Sequence, residues 1–213
     1  MRKIYFLSLT IAFSGIQFLK AQTSTAAKNL LDEVSLTIAG YETMIFDFSY
    51  VLENRQENIK QETSGSITVK GEKYKLMYLG VEQLYDGEKT YTIVPENEEI
   101  TIITEKGDDF GINPTELLNF YKEGYDYQWD IKQSIFGRPI QFVKLLPSNE
   151  NNEVKYLLLG IDMLKKNIYR LIEIGVNGTR TTLTISNQET NTPLVKDYFT
   201  FDPSLYPDYY INN

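Results

Sequence analysis

Residues Gly65–Thr104 read GSITVKGEKYKLMYLGVEQLYDGEKTYTIVPENEEITIIT, a run of short alternating segments broken by polar turns. Asp86-Gly87 is a two-residue hairpin signal, because its glycine tolerates the positive φ of a type I′ turn. Pro95–Glu98 makes the next turn. Between the turns Tyr74, Leu76 and Tyr78 recur at period two, as do Ile100 and Ile102, which predicts one buried face of an antiparallel meander. No catalytic motif interrupts the stretch, so its residues go into an apolar surface and not into chemistry.

Upstream, Ala27, Leu30, Leu31, Val34 and Ile38 fall on one stripe and predict a helix over Ser24–Ala39, with a capping hydroxyl among residues 23–25 and Gly40 closing the end. Glu42–Glu53 then reads as a strand carrying Met44, Phe46, Phe48, Tyr50 and Leu52 on one side. Such a load faces either a second sheet or a helical lid, and periodicity does not separate the two. Asn54–Glu62 reads as a polar loop, and Gly65, Gly71, Gly80 and Gly87 as points where a sheet bends.

Downstream, Lys106–Ile112 is a second loop. Its Asp108-Asp109 pair lacks further oxygen ligands at calcium-loop spacing, so no metal is expected. Asn113-Pro114-Thr115-Glu116 announces a short helix running to Gly124, with Leu117, Leu118, Phe120 and Tyr121 on its apolar side; it is either a lid or a crossover connection. Strands are expected near Tyr127–Lys132, Ile140–Leu146, Tyr156–Met163, Ile168–Gly175 and Arg180–Asn187, the last two joined at Asn177-Gly178. The sum is one mainly β (α+β) domain: an incomplete antiparallel β-barrel of about ten to eleven strands with a helical lid.

Arg2 and Lys3 before the apolar run Ile4–Leu19, with Ala21 beyond it, have the form of an export signal, and cleavage is expected after Ala21. The domain then occupies residues 22–213. The chain has no cysteine, which excludes disulfides and amino-terminal lipidation, so a soluble periplasmic protein is expected. It has no histidine either, which excludes triads of the serine–histidine type and removes the commonest metal ligand. The formal charge is −8, and removing Arg2, Lys3 and Lys20 leaves −11, since the signal holds no acid. So acidic a chain is unsuited to nucleic acid and is expected to avoid anionic lipid surfaces.

An ordered set of motifs resembles the LolA family of periplasmic carriers for outer-membrane lipoproteins. It comprises Phe46-Asp47-Phe48, Ile67-Thr68-Val69-Lys70, the block Asp86-Gly87-Glu88-Lys89-Thr90-Tyr91-Thr92-Ile93-Val94-Pro95, Asn113–Leu118, Phe142–Pro147 and Phe199-Thr200-Phe201-Asp202-Pro203. The resemblance implies a half-barrel with the leading helix across its mouth. It also implies acyl-chain binding with no cofactor, an inner-membrane ATP-driven extractor, an outer-membrane acceptor and a monomeric carrier. The cavity lining it implies is Met44, Phe46, Phe48, Tyr50, Tyr74, Leu76, Tyr78, Ile100, Ile102, Leu117, Leu118, Phe120 and Tyr121. Alternation alone would assign the same residues to an ordinary core. Two departures stand out: Gly71 follows the Val-Lys pair where family members carry a lid-latching arginine, and Tyr91 replaces the block's tryptophan.

Three other readings compete. A lipid-sensing envelope module would use the same fold with a second domain. A glycan hydrolase would need two carboxylates about 5–9.5 Å apart, and no acidic residue sits in a recognisable catalytic motif. An adhesive surface domain would have a filled interior.

Overall fold

The computed structural model describes residues 9–104, 120–149 and 153–212, with side chains in the leading helix from residue 24 onward. Helix α1 (Leu9–Ala39) is followed by strands β1 (Met44–Asn54), β2 (Ile59–Lys70), β3 (Lys73–Tyr78), β4 (Val81–Tyr85), β5 (Thr90–Val94) and β6 (Glu99–Ile103). After a 3-10 turn at Phe120–Lys122 come β7 (Tyr125–Ile135), β8 (Arg138–Pro147), β9 (Val154–Asp162), β10 (Asn167–Gly175), β11 (Arg180–Thr190) and the short β12 (Tyr210–Asn212). The twelve strands form one sheet in the order β12-β6-β5-β4-β3-β2-β1-β11-β10-β9-β8-β7. Neighbours are antiparallel except β12, which adds to β6 in parallel. The terminal strands β12 and β7 are not paired with each other, so the sheet curls around α1 without closing. This is the expected unclosed, mainly β architecture, with twelve strands where ten or eleven were expected.

Two long meanders, β2–β6 and β7–β10, meet at the central pair β1 and β11. Direct cross-strand partners share a face of the sheet. Met44↔Val69, Phe46↔Ile67 and Phe48↔Gly65 continue into Val69↔Tyr74, Ile67↔Leu76 and Gly65↔Tyr78. On the other side Tyr50↔Leu183, Leu183↔Leu171 and Leu171↔Leu159 extend the same concave face. The inward residues of α1, namely Ala27, Leu30, Leu31, Val34 and Ile38, pack into this face and form the principal core with it.

A second layer lies on the convex side, where the segment after β11 folds back over β3–β6. Phe201 stacks on Tyr91 at 4.5 Å and on Tyr206 at 5.7 Å, and the Tyr198 and Thr68 hydroxyls lie 3.0 Å apart. This segment overturns the single-face reading of the meander. Ile93↔Ile100 and Tyr91↔Ile102 place both isoleucines on the Tyr91 side, opposite Tyr74, Leu76 and Tyr78. Both faces are covered here, so period two marks buried positions without saying which face they belong to.

The turns also correct the sequence reading. Asp86-Gly87 is not a two-residue turn: Tyr85 pairs with Thr90, and in the four-residue loop between them Asp86 accepts from the amides of Glu88 and Lys89, both at 2.8 Å. The two-residue turns with positive φ at both positions are instead Leu79-Gly80 and Phe136-Gly137. Asn177-Gly178 does join β10 to β11, in a longer loop closed by the Gly175 amide on the Thr179 carbonyl at 2.8 Å. Residues 59–62 of the expected polar loop belong to β2 and Asn54 to β1, where their pairing holds a solvated ribbon beyond the core. Helix α1 passes through residues 23–25 without a cap there, having begun at Leu9. Most of the expected helix over residues 113–124 lies outside the described residues, and its described end is the 3-10 turn.

Candidate functional site

The candidate site is the concave face beneath α1. Met44, Phe46, Tyr74, Leu76 and Tyr121 are buried there, with Phe48, Tyr78 and Phe120 half-buried at its margin. The Phe48 and Tyr78 rings lie 5.8 Å apart over Gly65, whose missing side chain leaves room for the Phe48 ring. Tyr50 shares the face by register and is half-buried. Ile100 and Ile102 do not belong to it, for the reason given above, and Leu117 and Leu118 lie outside the described residues. The structure adds Ile67, Val69, Val143, Leu145, Leu157, Leu159, Ile161, Ile168 and Ile185. Alternation in β8 (Val143, Leu145) and β9 (Leu157, Leu159, Ile161) was the available signal for these.

Few polar atoms interrupt this surface. The Tyr74 hydroxyl donates to Gln83 Oε1 at 2.9 Å, while Gln83 Nε2 is buried without a hydrogen-bond partner among the described residues. Burial pushes the Tyr121 hydroxyl up to about 12, with Ser35 of α1 easing the shift. Tyr127 anchors the segment leading into β7 by donating to the carbonyls of Tyr121 and Lys122 at 2.8 and 3.0 Å.

The carboxylate of Glu173 joins the face opposite Leu157 and Thr181. Burial pushes its carboxyl up, and its charge adds to the burial that raises the Tyr125 hydroxyl. An acid raised in the fold binds more protons folded than unfolded, so its ionisation opposes folding. That penalty is absent below the unfolded value, grows as pH rises from there to the folded one, and is complete above it. Glu173→Gln is therefore expected to raise the thermal midpoint at neutral pH. The gain should vanish below the ordinary glutamate value of about 4.3, and melting curves at both pH values check this.

The helix is held to the sheet by its apolar stripe and two partly exposed ion pairs. Glu33 meets Lys166 at 2.6 Å, and Glu42, just past the helix, meets Lys70 at 2.9 Å. Exposed pairs of this kind contribute about 0–1 kcal/mol each, so the stripe dominates. Gly71, where an arginine latch would sit, has φ +58 in the tight turn between β2 and β3, and its neighbour Lys70 pairs with Glu42 in the link that follows the helix. A separate groove of about 530 Å³ runs beside Phe48 and Tyr78. Its Asp47, Ser49, Ser64, Ser66 and Ser186 side chains sit on the convex face by register, so it is a wet trough and not part of the dry interior. Among the described residues no cluster of acidic side chains could hold a metal ion.

No protein-family model matches the chain, and no curated protein sequence matches it. Solved structures do. LprF from Mycobacterium bovis is 12% identical, covers 81% of this chain and 96% of its own, and superposes with a TM-score of 0.52. Pseudomonas aeruginosa MucB, in its complex with MucA, is 13% identical over 83% of this chain and 61% of that one, with a TM-score of 0.50. A LolA superfamily protein from Nitrosomonas europaea is 12% identical over 83% and 98% of the two chains, and superposes more loosely, at 0.43. Each is a likeness of fold. The chain shares with LprF and MucB an unclosed, almost wholly antiparallel sheet, here wrapped about one α-helix among the described residues.

Proposed function

We propose that this protein is a periplasmic carrier that holds the acyl chains of lipoproteins against its concave face and conveys them from the inner to the outer membrane. The observation that carries the reading is that an apolar face spanning most of the sheet is covered, among the described residues, by a single amphipathic helix. The four larger side chains of the α1 stripe contribute roughly 6–12 kcal/mol by burial. One sixteen-carbon chain is worth about 12 kcal/mol against water. A guest chain can therefore replace the helix stripe at little net cost, while an empty carrier stays shut. The unpartnered Gln83 Nε2 is a polar group that an ester or amide of the guest could meet.

On this reading residues 1–21 are a cleaved export signal, and the protein works as a monomer by binding, not catalysis. An ATP-driven extractor loads it and an acceptor at the outer membrane unloads it. The sequence resemblance supports the cargo; the likeness to solved structures supports the architecture. The match to MucB, which is found with MucA, favours a second reading: an envelope module that senses lipid and engages a protein partner.

Native mass spectrometry of detergent-free protein, followed by uptake of a fluorescent lipopeptide, tests the proposal. Co-purifying lipopeptide and stoichiometric uptake are expected. Empty protein that takes up none overturns the reading, and cleaved lipopeptide would favour a hydrolase.

A further inference from the structure

Two neighbouring hairpin tips carry large apolar side chains into solvent. Phe136, between β7 and β8, is 94% exposed, and Leu164, between β9 and β10, is 78% exposed. The tips are tied together, since the Met163 amide donates to the Pro139 carbonyl at 3.0 Å. Phe136 also has φ +49, in a two-residue turn that favours asparagine or glycine. An aromatic ring at such a position gains nothing from packing and has an unfavourable backbone, so folding does not account for it.

The residues following each tip are cationic: Arg138 on one, Lys165 and Lys166 on the other. Between them lies a polar recess of about 150 Å³, lined by Arg138, Lys165, Asn167, Asn187 and Gln188, with no carboxylate in its wall. Its groups are preset. Arg138 lies over the Tyr169 ring at 5.8 Å, and Asn167 Nδ2 donates to Gln188 Oε1 at 2.5 Å. The nearby Asp162 is occupied in its own turn, accepting from the Leu164 and Lys165 amides at 2.9 and 3.1 Å. Lys166 is paired with Glu33, which leaves Arg138 and Lys165 as the cations of the recess.

We infer that this corner docks on an anionic lipid bilayer, with Phe136 and Leu164 entering the acyl boundary and a lipid phosphate seated between Arg138 and Lys165. Apolar wedges beside cations suit a bilayer surface, which offers hydrocarbon and negative charge at adjacent depths. The chain's charge of −8 argues against anionic surfaces only on average. Charges beyond about 10 Å are screened at moderate salt, so the local corner decides. The inference stands apart from what fills the concave face.

Co-sedimentation of the protein, purified as cells process it, with phosphatidylcholine vesicles and with phosphatidylcholine–phosphatidylglycerol vesicles tests the docking. Binding to the mixed vesicles is expected. Phe136→Asn with Leu164→Ser should weaken it about tenfold or more, although Asn-Gly is a better turn than the native pair and the fold is kept. Arg138→Gln with Lys165→Gln should abolish the preference for mixed over neutral vesicles. Wild-type protein that stays in the supernatant overturns the inference, as does equal binding by the Phe136/Leu164 double variant. Competition by inorganic phosphate with no effect of the tip substitutions would reduce the corner to an anion site and overturn membrane docking.

Discussion

Replacing Gly65 with alanine is expected to destabilise the protein by about 3 kcal/mol, the upper end of the overpacking range. A Cβ at this position would stand 2.4 Å from the Met77 carbonyl oxygen and 2.5 Å from Cζ of Phe48. The ring could rotate away, but the carbonyl belongs to the backbone of the adjoining β3 and cannot. Either β2 and β3 separate locally or the Phe48 ring leaves the margin of the concave face. At the 2–4 °C per kcal/mol typical of domains of this size, the thermal midpoint should fall by about 10 °C. Denaturant melts read the effect directly, and a loss below about 1 kcal/mol would mean that the ring does not rest on this glycine. Gly71 and Gly80 make a useful contrast: a Cβ there meets nothing within 4 Å, and substitution strains only their positive φ.

The second large effect concerns the helix. Val34 is completely buried at the centre of the α1 stripe, so Val34→Asp places an unpartnered carboxylate in the dry interior, at a cost of several kcal/mol. If α1 is a cover, the least costly relief is for it to leave the sheet. The variant should then keep its strand signal in circular dichroism, lose helical protection against protease and bind an apolar dye on the bared face. Complete cooperative unfolding would instead make the helix an inseparable part of the core, and the carrier reading would lose its opening step. The comparison is clean because α1 joins the sheet through a short link at residues 40–43 and otherwise contacts it by side chains.

The sequence carried the strand positions well because short amphipathic segments and glycine turns are local signals, whereas the β1–β11 pairing and the added β12 are not local. The later strands were expected near their true positions, and the α1 stripe was read residue by residue. Information about faces was less local. The Ile100 and Ile102 assignment failed because the segment around Phe201, about a hundred residues away, buries the side that alternation would leave wet. Lys60, Gln61 and Glu62 look like loop residues, yet cross-strand pairing needs no burial. Phe136-Gly137 and Leu79-Gly80 are invisible as hairpin turns because their first residues are unsuited to positive φ. The inward residues of β8 and β9 are legible only as alternation, which does not tell a binding face from an ordinary core.

The meeting of β1 with β11 sets how this molecule must assemble. Each flanking meander can zip from its own hairpins, whereas Met44 meets Thr190 only after nearly the whole intervening chain has been brought round. Closure entropy of that order is lost before any contact rewards it. The slow event in refolding is therefore the joining of two preformed half-sheets along this seam, and until it happens each half offers an unsatisfied edge to any chain nearby.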